Sequence, residues 1–265
     1  MSQAAKHPPQ PVAGAPRPAE YSWPAGRPFL TAQWRHLVML NFEIDPALAA
    51  PFVPLGTEID LHDGAAFASV VAFRFLQTRV LGLPIPGHVD FDEVNLRLYV
   101  RRRGPEGWRR GVVFVRELVP RRAIAWVART VYNENYAYAA MSHCIASRAD
   151  EWAPPATLEY WWTWSRRESR VLMQPAAIAH ELQPGSLDQF IAEHYWGYCR
   201  QRDGGTKEYQ VAHPPWRVAP AEQFEFQANV AELYGSQFEA PLSRPPVSAF
   251  WADGSAVRVY PGQRI

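Results

Sequence analysis

The segment Phe91-Asp92-Glu93-Val94-Asn95-Leu96-Arg97-Leu98-Tyr99-Val100 alternates strictly between two kinds of residue. A β-strand turns successive side chains to opposite faces, so Val94, Leu96, Leu98 and Val100 make one apolar face. Phe91, Glu93, Asn95, Arg97 and Tyr99 then stand in a row on the other, about 7 Å apart. Carboxylate, amide, guanidinium and phenol thus share one surface. If that surface lines a pocket, Glu93 can serve as general acid or base and Arg97 can clamp a substrate carboxylate with two parallel hydrogen bonds. A half-exposed antiparallel strand with cross-strand ion pairs produces the same alternation, and the pattern alone does not separate the two readings.

A second group runs from Trp126 to Met141, where Arg129 interrupts an otherwise apolar run that reads as a strand over Ala123 to Tyr132. A buried arginine needs a partner, which Glu93 or Glu134 can supply. Tyr132, Tyr136 and Tyr138 offer phenol donors, although tyrosines at strand ends also pack their rings and bond outward. Other signals are weaker. Arg101-Arg102-Arg103, Arg109-Arg110, Arg116 and Arg121-Arg122 surround one hairpin and read as a solvated tip more economically than as a phosphate site. His194 and His213 read as packed rings, because neither has an orienting carboxylate nearby in sequence. The eight histidines form no HExxH, so no metal is expected, and no nucleophile elbow, P-loop or dinucleotide fingerprint is present.

The elements that must position these residues are mostly strands. Gln33 to Phe42, Ala66 to Phe75, Phe91 to Arg101, Gly111 to Leu118, Ala139 to Ser147 and Thr157 to Ser165 are aromatic or β-branched runs separated by turn signals. His62-Asp63-Gly64 and Arg103-Gly104-Pro105-Glu106-Gly107 read as turns, the second joining two strands as a hairpin. Asp45-Pro46 caps a short helix. The spacing predicts a longer helix from Ser186 to Arg200, capped by Ser186 and Gln189, then a loop opened by Gly204-Gly205 that contains Lys207. Beyond it, Tyr209 to Trp216 reads as extended, Gln227 to Tyr234 as helical, and Ala249 to Tyr260 as a hairpin turning at Asp253-Gly254.

Composition bounds the rest. The chain has 265 residues, 48% of them hydrophobic and 13% aromatic, enough apolar area for a sizeable core. Residues 1–27 carry six prolines and read as a disordered extension, leaving 28–265 as a single domain. A net charge of +1 gives no support to a nucleic-acid partner. No leader or membrane-spanning run is evident, and Cys144 and Cys199 suggest no disulfide framework, so a reducing cytoplasm is expected. Trp161-Trp162-Trp164 can cover a subunit contact, making a homo-oligomer an open possibility.

Phe91-x-Glu93-x-Asn95-x-Arg97-x-Tyr99-Val100, Gly111-Val112-Val113-Phe114 and Ala128-Arg129-x-x-Tyr132-x-x-x-Tyr136-x-x-Ala139-x-Met141 together resemble the bacterial family of unknown function typified by YqjF. The likeness also takes in the Trp34 strand, the run from His194 to Tyr198 and the run from His213 to Trp216, and so spans roughly Thr31 to Gly235. That family looks like a branch of the acetoacetate decarboxylase-like superfamily. The resemblance implies an α+β, mostly antiparallel fold, a cone-shaped barrel with a few flanking helices and an interior pocket. In the decarboxylases a lysine with a lowered pKa forms a Schiff base with a keto acid. Here the resemblance puts Tyr136 at the lysine's place, and only Lys6 and Lys207 carry side-chain amines.

The expected function is therefore a small-molecule pocket without imine chemistry and without a cofactor. As a lyase, hydratase or isomerase, it would use Glu93 to move a proton, Arg97 and Arg129 to hold an anionic ligand, and Tyr136 to donate to a developing oxyanion. Asn95, Tyr99 and Tyr132 would bind the remainder of the substrate. A non-catalytic ligand-binding or sensory module using the same cavity is the alternative, and a structural oligomer with a filled barrel is a third.

Overall fold

The computed structural model describes residues 21–265 except 128, 131, 132, 151 and 152; residues 1–20 of the expected extension and Tyr132 lie outside the described residues. Residues 21–27, assigned by composition to the extension, lie against the last long strand. Tyr260 Oη donates to the Pro24 carbonyl at 2.8 Å, and the Arg258 guanidinium sits 4.1 Å from the Trp23 ring centroid.

Among the described residues, seven strands pair in a closed ring that follows chain order: Leu30–Ile44, Ala66–Val80, Phe91–Gly104, Gly107–Val119, Trp196–Arg200, Thr206–Ala212 and Ser248–Val259. The last returns to the first through a long antiparallel register from Leu30↔Val259 to Asn41↔Ser248. All pairings in the ring are antiparallel except that between Gly107–Val119 and Trp196–Arg200. From Ser248–Val259 the sheet continues outward through Arg217–Gln227, Arg167–Pro175, Thr157–Trp164 and Ala140–Ala146. This arm folds over the ring, and the main core fills the space between them. Val38, Leu40, Val70, Val94, Leu96 and Leu98 from the ring meet Tyr160, Trp162, Val171 and Met173 from the arm, with Leu233 and Phe238 closing one side. Each fully buried aromatic here contributes on the order of 1.5–3 kcal/mol. The fold is thus mostly antiparallel β with a few short helices, as expected.

Several local expectations change. Arg122–Val127 is a helix and not a strand. Gly107–Val119 already pairs with Phe91–Gly104 and with Tyr136–Tyr138, and Ala123 and Ala125 favour helix where no ladder is open to them. The helix expected over Ser186 to Arg200 is two elements. Leu187–Ala192 is helical, with the Ser186 hydroxyl accepting from Gln189 N at 3.1 Å, and Trp196–Arg200 is a strand between two neighbours. The run Gln227 to Tyr234 likewise divides into the end of a strand and the helix Val230–Tyr234, capped by Asn229. Lys207 belongs to the strand Thr206–Ala212 and not to the preceding loop.

The hairpin expected at Asp253-Gly254 is one unbroken strand. Gly254 takes φ 75°, and a Cβ there would lie 2.0 Å from the Trp34 carbonyl oxygen, so the glycine serves close strand approach instead of reversal. Gly254→Ala is expected to destabilise the ring by more than about 1 kcal/mol, measured by urea unfolding; an unchanged midpoint would show that the contact relaxes freely.

Candidate functional site

The strand Phe91–Gly104 is buried on both faces, which decides between the two readings of its alternation. Val94, Leu96 and Leu98 enter the core beneath the arm, while Phe91, Glu93, Asn95 and Arg97 line a cavity of about 310 Å3 inside the ring. A volume of this size lies at the lower end of the range for small-molecule sites. Trp34, Phe73, Phe75, Phe91 and Phe114 supply apolar walls, and exposed Ile85 and half-buried His88 stand at the edge.

Glu93 is 2% exposed. Its Oε1 accepts from Asn95 Nδ2 at 2.9 Å and its Oε2 from Tyr136 Oη at 3.1 Å. Burial disfavours the charged carboxylate and pushes its pKa up to about 7, against the lowering effect of those two hydrogen bonds. Burial also pushes the Tyr136 phenol well above its ordinary value, and the carboxyls around it add to the shift, so it stays a donor. Arg97 donates from Nε to Tyr99 Oη at 3.2 Å and from Nη2 to the Ile191 carbonyl at 3.0 Å. Tyr99 does not line the cavity; its Oη, 2.6 Å from Ser69 Oγ, fixes the guanidinium that does.

Arg129 is not brought into this group. It is exposed, beside Arg122, Trp126 and Tyr138 on an outer surface, because the segment that carries it is helical.

Glu117 and Tyr209 do not stand out from the sequence, and Glu134, read there as a possible partner for Arg129, belongs to the cavity instead. Glu117 and Glu134 line the cavity with Glu93, and Tyr209 reaches in from the strand Thr206–Ala212. Burial raises the Glu117 pKa well above the carboxylate range, reinforced by the charges of Glu134 and Glu93. Glu134 is pushed up to about 7 by burial, opposed first by a 2.8 Å hydrogen bond from Tyr209 Oη and also by the charge of Lys207. Gly197 lies directly opposite Tyr209, and a Cβ at Gly197 would fall 2.1 Å from the ring, so that glycine makes room for the phenol.

Hairpin geometry explains why Glu117 escapes notice. Near the turn the register is Arg102↔Arg109, which extrapolates to Glu117 opposite Val94 on the apolar face. A bulge between Leu96 and Arg97 shifts the partner strand by one residue, so Glu117 pairs with Asn95 and faces inward.

The histidine reading also changes. His194 Nε2 lies 3.2 Å from Asp60 Oδ2, so it has an orienting carboxylate that sequence distance concealed, and burial pushes its pKa down to about 4. His213 stacks on Trp216 at 4.2 Å, as a packed ring. The arginines of the hairpin are only partly solvated, since Arg102 and Arg109 both pair with fully buried Glu208. Among the described residues no cluster of His, Cys, Asp and Glu is arranged to hold a metal ion, and no helix is long and apolar enough to cross a membrane.

The two thiols differ sharply. Cys144 is exposed, whereas Cys199 is buried beside Glu134 and Glu117, and burial followed by those charges raises its pKa. Alkylation of the native protein is expected to modify Cys144 alone, with Cys199 reacting only in denaturant. Mass spectrometry showing Cys199 modified at a comparable rate would mean that the carboxyl cluster opens readily to solvent.

A model of the DUF2071 family, described as "Uncharacterized conserved protein", matches residues 31–256. The uncharacterized protein YqjF of Bacillus subtilis (strain 168) is 26% identical over 215 residues, covering 81% of this chain and 85% of that one. Among solved structures, the enduracididine biosynthesis enzyme MppR complexed with pyruvate superposes with a TM-score of 0.63 at 15% identity, over 93% of this chain and 94% of its own. Acetoacetate decarboxylase from Legionella pneumophila gives a TM-score of 0.60 at 14% identity, with the same coverage of 93% and 94%. At these identities the structures establish a shared fold.

Proposed function

From the premise that this chain belongs to the DUF2071 family and has the acetoacetate decarboxylase-like fold, we propose that it is a small-molecule enzyme performing acid–base chemistry on a small carbonyl or carboxylate compound without an imine intermediate. One observation carries the reading: Glu93 is a buried carboxyl on the wall of an apolar cavity, with its pKa near 7 and a phenol bonded to it. Ionised Glu93 takes a proton α to the carbonyl; Tyr136, whose single O–H is released from Glu93 as that carboxyl becomes protonated, turns to donate to the oxygen on which charge develops, and Arg97 holds a carboxylate or second oxygen of the substrate. The proton then returns from Glu93, at the same carbon or at its neighbour.

The amine of Lys207 is read here as counter-charge to Glu134, whose pKa it lowers. Lys6 lies outside the described residues. Borohydride trapping with pyruvate tests this part, and a covalent adduct on Lys207 would restore imine chemistry. The acid–base step is tested by following deuterium incorporation from D2O into the α-positions of small ketones and 2-oxo acids by NMR. Enzyme-dependent exchange is expected. Binding of such compounds with no exchange above buffer would instead identify a ligand-binding module.

A further inference from the structure

Two acceptor atoms in the cavity have no hydrogen-bond partner among the described residues. They are Asn95 Oδ1 and Glu117 Oε2, on side chains only 3% and 2% exposed. Asn95 and Glu117 are direct cross-strand partners, and both line the cavity, so the two acceptors stand on one face with Cβ atoms about 5 Å apart. A buried acceptor without a donor costs about 1–3 kcal/mol, so a pair of them beside an apolar chamber marks a place where a donor belongs. Trp34 Nε1 and the Thr78 hydroxyl on the same lining also lack a partner among the described residues, while four other lining residues donate to the protein's own acceptors. Asn95 Nδ2 and Tyr136 serve Glu93, Tyr209 serves Glu134, and Arg97 uses Nε and Nη2 on Tyr99 and Ile191.

We propose that the ligand of this cavity carries a primary ammonium group, seated between Asn95 Oδ1 and Glu117 Oε2, on an aromatic or branched aliphatic body that fills the apolar walls. An ammonium brings several N–H donors and no acceptor, which matches two orphaned oxygens on adjacent strands. It also brings a positive charge that favours ionisation of Glu93, Glu117 and Glu134, which burial otherwise holds toward the neutral acid, and adds to the charges of Lys207 and Arg97. The inference rests on the cavity being the ligand site assigned above, and not on turnover there.

Calorimetric titration of the full chain with benzylammonium, benzyl alcohol and benzoate at neutral pH separates the possibilities, since the three share a ring and differ in the group presented. Benzylammonium is expected to bind at least tenfold more tightly than either of the others. Glu117→Gln is expected to reduce that preference about tenfold or more while leaving benzyl alcohol unchanged, as for loss of one charge-assisted hydrogen bond. Equal or tighter binding of benzoate, no binding of benzylammonium, or a preference untouched in a folded Glu117→Gln protein would each overturn the proposal. Should the variant not fold, the wild-type order of the three probes decides alone. Deuterium exchange is read separately, so an enzyme that exchanges ketones but ignores benzylammonium keeps its acid–base function and loses only this ligand class.

Discussion

Glu93→Gln is expected to slow enzyme-dependent α-proton exchange by about 10²- to 10⁴-fold, the range associated with a positioned general base. The amide keeps the volume of the carboxylic acid and its oxygen still accepts from Asn95, while its NH2 faces Tyr136 Oη and can donate to it, so the cavity walls and apolar binding should survive. Wild-type exchange is expected to rise with pH through about 7, because the proton acceptor is the ionised form. Stability supplies an independent reading of the same group. Its folded pKa, about 7, lies above its ordinary 4.5, so the contribution of the neutral acid is fully present below about 4.5 and is lost as pH rises to about 7. Glutamine never ionises, and the variant should therefore gain on the wild type across that window in thermal or urea unfolding. A variant that exchanges as fast as the wild type, or a stability difference constant from pH 4.5 to 7, would remove Glu93 from the mechanism.

Glu208→Ala is expected to cost about 3–5 kcal/mol of stability, the scale for removing one partner of a buried ion pair. Glu208 is fully buried, and it accepts from Arg102 Nη1 at 3.1 Å, from Arg109 Nη1 and from Gln263 Nε2 at 3.2 Å. Arg109 is itself mostly buried, with the Trp196 ring 4.2 Å from its guanidinium carbon. Deleting the carboxylate takes from Arg102 its carboxylate partner and leaves Arg109 with the exposed Glu106 alone, beside Thr206–Ala212, the strand that delivers Tyr209 to the cavity. Urea unfolding reads the loss, and Glu208→Gln should recover part of it by keeping an acceptor. A change under 1 kcal/mol would place this group among solvated surface pairs. Substantial salt dependence would point the same way, since screening reaches exposed charges and not buried ones.

The alternation of residues 91–100 already assigned Glu93, Asn95 and Arg97 to one face, because a strand's period of two is a local property. The hairpin at Pro105-Glu106 and the Ser186 cap were legible for the same reason, since each depends on a few adjacent residues. Short apolar runs were ambiguous. Ala123 to Val127 and Tyr195 to Arg200 carry patterns that suit helix or strand, and a vacant or occupied neighbouring ladder settles which forms.

Whether the polar row faced water or a cavity was a question about what lies across from it. That depends on closure of the ring between Thr206–Ala212 and Ser248–Val259 and on the arm folded over the opposite face, contacts between segments far apart in the chain. Glu117 shows the limit most clearly. The bulge beside Leu96 reverses the face it occupies, and a one-residue shift of register is set by the curvature the closed ring demands rather than by the residues at the shift.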